Sequence, residues 1–176
     1  MKIPDKDNGG HTWAQPKSDL HGYCVSFRIK FENVRLFAIG LPELKVEDFA
    51  NNIKNISEYS WIHFEGRPNI EEIKKMLEFI HENCENRPKI SLEMEKLNRN
   101  YDPLLPLVDV IFVSKEYALS KGFQNKSELV KGYHTNLKCL VICAWGDQGA
   151  SGRDLNGQIV EIPAYKPPSG IKNKVA

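Results

Sequence analysis

Hydrophobic and polar positions change period several times along the chain. Between Gly22 and Lys30, Tyr23, Val25, Phe27 and Ile29 alternate with Cys24, Ser26, Arg28 and Lys30. That is the period of a half-buried strand. Val34 to Ile39 reads as a second strand after a turn at Phe31-Glu-Asn33, and Gly40-Leu-Pro42 breaks it, so the pair predicts a hairpin. Val46, Phe49, Ile53 and Ile56 then recur at helical spacing. Trp61 to Phe64 is a short strand. Asn69, after Pro68, is a candidate N-cap for the helical stripe Ile70, Ile73, Met76, Leu77 and Ile80.

The second half repeats strand and helix. Lys89 to Leu92 and Val108 to Val113 read as strands, and Leu97 to Pro106, with two prolines, as loop or a short helical turn. Glu116 to Lys121 forms one or two helical turns stopped by Gly122. Asn125-Lys-Ser-Glu128 resembles a helix start. Lys138 to Ala144 has the apolar continuity of a strand buried on both faces. Asn156-Gly157, between Arg153–Leu155 and Gln158–Ile162, is a two-residue hairpin signal. Strand–helix alternation from Trp61 to Ala144 predicts an α/β fold with parallel βαβ units.

Residues 1–20 and 169–176 show no period and are expected to be a disordered tail and a divergent C-terminal tail around one domain at 21–168. A net charge of +1 gives no large field toward nucleic acid or membrane. No apolar run reaches the roughly 18–20 residues of a membrane helix, and residues 1–17 lack the apolar core of a signal peptide. Cys24, Cys84, Cys139 and Cys143 form no CxxC pair, which predicts reduced thiols in a cytoplasmic protein. The histidines, His11, His21, His63, His81 and His134, have no ligand spacing with the cysteines, so no zinc site is expected. His63 reads as a satisfied core or loop histidine.

Candidate chemistry gathers after strand ends. The Leu140–Ala144 strand runs into Gly146-Asp147-Gln148-Gly149. Glycines allow backbone N–H groups to approach a ligand, and such turns end buried strands where open α/β sheets bind ligands; a plain βα turn has the same glycines. Arg67, in Glu65-Gly66-Arg67, can fork onto a carboxylate or phosphate, or pair with Glu93 or another surface group. Glu93, at a strand end and on one face with Glu95, can hold hydrated Mg²⁺ through water, or be solvated or paired with Lys96 or Lys115. Ser114 can cap a helix, leaving Lys115 solvated. Arg35 is a strand arginine whose default is solvent.

Several segments, in order, resemble the PfkB (ribokinase-like) sugar kinases: Tyr59-Ser-Trp-Ile-His-Phe-Glu-Gly-Arg67, Ile90-Ser-Leu-Glu-Met-Glu-Lys96, Val110-Ile-Phe-Val-Ser-Lys115, Lys121-Gly-Phe-Gln124, Leu140 to Ala150, and Ala164-Tyr-Lys-Pro-Pro168. The similarity is clear from about Ser57 to Pro168 and faint from about Tyr23 to Phe49. It implies a ribokinase-like (Rossmann-like) three-layer sandwich with a mostly parallel sheet, incomplete here, and an N-terminal β-hairpin resembling part of the family's lid. It implies ATP-dependent phosphoryl transfer to a ketohexose such as fructose, with Mg²⁺. By the resemblance Gly146, Asp147, Gln148 and Gly149 face the nucleotide, Arg35 reaches ATP phosphates, and Glu65, Arg67, Glu93 and Lys115 lie on the substrate and phosphate side. It also implies a homodimer paired through the hairpin.

The resemblance has gaps. Ala144 stands where many members have threonine, and Ser114 and Tyr117 replace the family's Asn-x-x-Glu pair. Asn8-Gly-Gly10 does not match the sugar-binding Gly-Gly-x-x-x-Asn segment. The Asp-Thr-x-Gly-Ala-Gly-Asp segment, which carries the base and the anion hole, does not follow Pro167-Pro168. The expectation is a fragment of a sugar kinase without useful turnover. The alternative is a non-catalytic partner-binding or dimerising paralogue or splice fragment. A nicotinamide oxidoreductase is set aside, because no GxGxxG follows the first strand of a βαβ unit.

Overall fold

The structure, a computed structural model, describes residues 43–165 except 54 and 136, together with the strands of residues 24–29 and 32–37. The chain divides into two units, residues 1–44 and 45–176. In the first, β1 (Cys24–Ile29) pairs antiparallel with β2 (Glu32–Phe37), with Ile29 opposite Glu32. The predicted hairpin is present, but Glu32 and Asn33 belong to the strand, so the connection is shorter than the Phe31–Asn33 turn. The expected tails, 1–20 and 169–176, lie outside the described residues.

The second unit begins with α1 (Val46–Asn52), shorter than its apolar spacing predicted. The helix stops at Ile53, which is extended, and Ile56 enters the core from a separate 3₁₀ turn. Then come β3 (Trp61–Glu65), α2 (Ile70–Asn83), β4 (Lys89–Met94), β5 (Val110–Val113), α3 (Lys115–Ser120), α4 (Lys126–Gly132), β6 (Leu140–Ala144), β7 (Ala150–Arg153) and β8 (Ile159–Ile162). They form a six-stranded sheet in the order β3-β4-β5-β6-β7-β8. β3 through β6 are parallel neighbours, as the alternation predicted; β7 and β8 are antiparallel.

Local chemistry explains the helix limits. Asn69 occupies the N-cap position of α2, but its side chain makes no cap hydrogen bond; Glu71 and Glu72 instead place negative charge on the first turn. Gly122, at φ 90°, closes α3 in a Schellman arrangement: its N–H donates to Leu119 O (3.0 Å) and the Phe123 N–H to Ala118 O (3.1 Å). Asn125 caps α4 by accepting from the Glu128 N–H (2.9 Å), while the Glu128 carboxylate accepts from the N–H of Gln124 (2.8 Å), the residue before the N-cap.

Strand alternation assigns the two sheet faces. Phe64, Ile90, Leu92, Met94, Ile111, Val113, Val141 and Cys143 are buried together with Ile73, Met76, Leu77 and Ile80 of α2, Tyr117 and Ala118 of α3, and Leu129 and Val130 of α4. The opposite face carries Trp61, His63, Ser91, Glu93, Phe112, Ile142, Val160 and Ile162, and no helix among the described residues covers it. The described residues thus supply a sheet and one helical layer of the sandwich. Residues 97–106, expected as loop or a short helical turn, run into a 3₁₀ turn at Leu105–Leu107 and also supply core: Tyr101, Leu104 and Leu105 are fully buried.

Candidate functional site

Because β3 to β6 are parallel, their carboxyl ends lie on one edge of the sheet. Glu65 ends β3 and Arg67 follows it; Glu93 is near the end of β4, Ser114 and Lys115 follow β5, and Gly146 to Gly149 follow β6. The sequence-predicted residues of this unit therefore share an edge. Arg35 lies in β2, opposite Ser26, in the other unit, and its side chain lies outside the described residues.

The glycine turn departs from a βα turn. A 3₁₀ turn, Gly146–Gln148, joins β6 to the antiparallel β7, so no helix N-terminus backs it. The Gln148 N–H donates to Trp145 O (3.2 Å), the Gly149 N–H to Gly146 O (3.0 Å), and the Trp145 N–H to Gly149 O (2.7 Å). The turn thus uses two of its own four N–H groups, those of Gln148 and Gly149, and Gly146 and Asp147 are left to offer donors to an anion. Both glycines have positive φ, 56° at Gly146 and 83° at Gly149. Space over Gly146 is open, whereas a Cβ on Gly149 would lie 2.0 Å from Ile162 O. Lys126, not singled out from the sequence, donates from Nζ to Gln148 O (2.7 Å) and fastens the turn to α4.

Glu65-Gly66-Arg67 is held just as closely. The Gly66 N–H donates to Glu93 O (3.0 Å), and Gly66 O accepts from Tyr101 Oη (3.2 Å) and Arg99 Nη1. A Cβ on Gly66 would meet Tyr101 Cε1 at 2.4 Å, so only glycine lets the two segments touch. Arg67 Nη1 lies 3.7 Å from Glu65 Oε1, both half-exposed. Arg99 and Tyr101 carry no periodic or motif signal, and only the fold shows their hold on this turn.

Ser114 is the helix cap its alternative reading described: Oγ accepts from the Tyr117 N–H (3.1 Å). Lys115 Nζ sits 5.8 Å from the Trp145 ring centroid, beside the glycine turn. Lys96 pairs with its neighbour Glu95 (2.8 Å). His63 is not a core residue: its side chain is 47% exposed, Nδ1 is 2.8 Å from Ser91 Oγ, and Nε2 is 4.0 Å from Glu93 Oε2. It lines a groove of about 510 Å³ on the open face with Trp61, Ser91, Glu93, Phe112 and Ile142.

No family model matches the chain. Over 140 residues, 76% of this chain and 46% of the relative, it is 33% identical to ketohexokinase of Mus musculus. Among solved structures, ribokinase of Giardia lamblia matches with a TM-score of 0.61 at 13% identity, over 76% of this chain and 45% of that one. Fructokinase of Vibrio cholerae O395, in its form with fructose, ADP and calcium ion, matches with a TM-score of 0.51 at 18% identity, over 77% of this chain and 47% of that one. The sheet and its helices are thus a ribokinase-like α/β fold, the class of the PfkB sugar kinases. Within that class the chain is a homologue of ketohexokinase, and it spans less than half the length of that relative.

Proposed function

We propose that the chain carries the phosphate side of a ketohexokinase-like sugar kinase, with ATP and Mg²⁺ as donor and a ketohexose such as fructose as acceptor. The observation that supports this most directly is the shared edge. The Gly146 and Asp147 N–H groups, the Lys115 cation and Arg67 follow the carboxyl ends of parallel strands of one sheet, and the carboxylates Glu65 and Glu93 lie at those ends. Phosphoryl transfer needs mainly positioning and charge stabilisation, which N–H donors and cations at one edge can supply. The Gly146–Gly149 turn and Lys115 would hold the nucleotide phosphates, and Glu65 and Glu93 would hold a hydrated cation. When bound, the metal would neutralise charge developing on the phosphates. The proposal extends to a cytoplasmic location, to Arg35 as a further phosphate contact, and to pairing of two copies through the β1–β2 hairpin.

The sequence contains no Asp-Thr-x-Gly-Ala-Gly-Asp segment. A missing general base alone costs roughly 10²–10⁴-fold in rate, so the 176-residue chain should bind nucleotide without useful turnover. The test is ³¹P NMR of ADP titrated with purified chain, alongside ADP release from ATP, Mg²⁺ and fructose against a full-length ketohexokinase. Saturable ADP binding that weakens in Lys115→Ala, with turnover below the control by more than about a hundredfold, supports the proposal. Absence of ADP binding overturns the nucleotide assignment. Turnover within about tenfold of the control overturns the inactivity, because that is less than loss of the base predicts.

A further inference from the structure

A cation stands behind the glycine turn. The Lys126 side chain is only 14% exposed, and its Nζ donates to Gln148 O (2.7 Å). Glu161 Oε2 lies 4.0 Å from the same Nζ, beyond hydrogen-bond range. The half-exposed Glu161 carboxylate is engaged by Ser127 Oγ instead. Among the described residues the ammonium thus has a backbone carbonyl as its close acceptor, and its charge is only loosely offset.

Peptide groups carry that charge forward. The Gln148 carbonyl shares its peptide with the Gly149 N–H, which donates to Gly146 O (3.0 Å). The Gly146 carbonyl shares its peptide with the Asp147 N–H, one of the two N–H groups that the turn does not use itself. From Lys126 Nζ to Asp147 N–H every dipole points the same way, positive end toward the ligand side. Hydrogen bonds in series polarise one another, by about 10–30% per bond. Gly146 and Asp147 are both exposed, so the line ends at solvent. The carboxylate of Asp147 disfavours an anion at its own N–H, and a charge relayed from behind opposes that repulsion.

We propose that Lys126 is a positioning residue of the phosphate site. It holds the turn, and through two peptide groups it strengthens the Asp147 N–H as a donor to a phosphate oxygen of a nucleoside diphosphate. The ammonium itself stays behind the turn, whereas Lys115 meets the phosphates directly. The phosphate as ligand rests on the sugar-kinase reading above; the relay stands on hydrogen bonds within the chain.

The test compares Lys126→Arg, which keeps charge and donor, with Lys126→Gln, which keeps a donor alone, and Lys126→Met, which keeps neither. Calorimetric titration of the full chain with ADP, and separately with inorganic pyrophosphate, gives affinity. ¹H–¹⁵N NMR without ligand gives the amide protons of Asp147 and Gly149, and hydrogen exchange at Gly149 reports whether the turn is closed. Lys126→Arg should bind as the wild type does. Lys126→Gln and Lys126→Met should bind ADP and pyrophosphate roughly tenfold or more weakly, since a hydrogen bond to a charged group is lost. In both, the Asp147 and Gly149 amide protons should move upfield while Gly149 stays protected in Lys126→Gln. Wild-type affinity in Lys126→Gln overturns the relay, because fastening alone then suffices. So does a loss confined to variants whose Gly149 N–H exchanges freely, because the turn has then opened. ADP bound equally by wild type and Lys126→Met removes the role of Lys126 and leaves the nucleotide reading standing. If the wild type binds neither ADP nor pyrophosphate, the nucleotide reading fails instead. Amide protons that move in Lys126→Gln but not in Lys126→Arg then uphold the relay, and unmoved ones overturn it.

Discussion

The two faces of the β3–β6 sheet are built from alternate residues of the same strands and have different fates. On the covered face Ile90, Leu92, Met94, Ile111, Val141 and Cys143 are fully buried under α2, α3 and α4. The open face is covered less evenly: Ser91 and Val110 are buried, but Trp61 is 49% exposed, and Phe112 and Ile142 border the groove. The open face is nevertheless apolar along β5 and β6, through Val110, Phe112, Leu140 and Ile142. Polar residues mark it only on β3 and β4, at His63, Glu65, Ser91 and Glu93. One face is therefore a core and the other a surface on which a few polar groups can be read as chemistry.

The largest expected effect separates those faces directly. Leu92→Ala removes a fully buried side chain and should cost about 2–5 kcal/mol in urea unfolding, the transfer loss plus the cavity. Ile142→Ala, on the open face, should cost less than about 1 kcal/mol. Equal losses would mean that the open face is covered as well as the other, and the contrast would be gone.

Next come the two glycines that let segments touch at the carboxyl edge. Gly66→Ala places Cβ 2.5 Å from Glu93 O, and Gly149→Ala places it against β8 with φ at 83°. Each should lose about 1–3 kcal/mol through forced backbone shifts. Gly157→Ala meets open space and has only the strain of its positive φ, so it should cost less than either. If all three cost the same, contact at the edge is not what selects glycine.

A smaller effect concerns the opposite, amino edge of the sheet. Asp109 accepts from Arg87 Nη1 (2.6 Å) and Nη2 (3.0 Å) and from the Ile90 N–H (2.8 Å). Burial pushes its carboxyl up, but the Arg87 guanidinium and the Ile90 N–H outweigh this and hold it below the ordinary value near 3.8. A group depressed in the folded state stabilises above its unfolded pKa, and that contribution disappears as pH falls through the folded value. Stability should therefore fall from about pH 5 downward more steeply in the wild type than in Asp109→Asn. Parallel pH profiles in chemical unfolding would show that the pair contributes nothing.

The smallest effect is a rate. Burial raises the Cys143 thiol to about 11, against a weaker downward pull from Lys126, and it raises Cys139 as well. Cys84 is only partly buried. Iodoacetamide at pH 8 should label Cys84 well before Cys139 and Cys143, read by peptide mass spectrometry, with all three labelled once the chain is unfolded. Early labelling of Cys143 would show the covered face opening.

Local signals in the sequence were sufficient where one segment decides its own conformation. Gly122 ends α3 because it alone adopts φ 90° without strain, and Asn125 with Glu128 starts α4 through bonds spanning three residues. The apolar runs from Trp61 to Ala144 determined four neighbouring parallel strands, and with them the shared edge of Glu65, Arg67, Glu93, Lys115 and Gly146–Gly149. Non-local pairing decided the rest. Ala150-Ser-Gly-Arg153 has no apolar period, yet pairing with β6 makes it a strand and turns the glycine loop into a hairpin turn. Asn156-Gly157 does form a hairpin, but with a three-residue loop: the Asp154 N–H donates to Gln158 O, and the Gly157 N–H to Asp154 O. The Asp154 carboxylate accepts from the Asn156 and Gln158 N–H groups, which favours this wider turn. Tyr101 becomes core and clamps Gly66 from 35 residues away. Ser91 meets Trp61 and His63 across 30 and 28 residues, because parallel register places β4 beside β3. Periodicity shows which residues face the same way along one strand, but which strand lies alongside, and in what register, is determined by packing over the whole sheet.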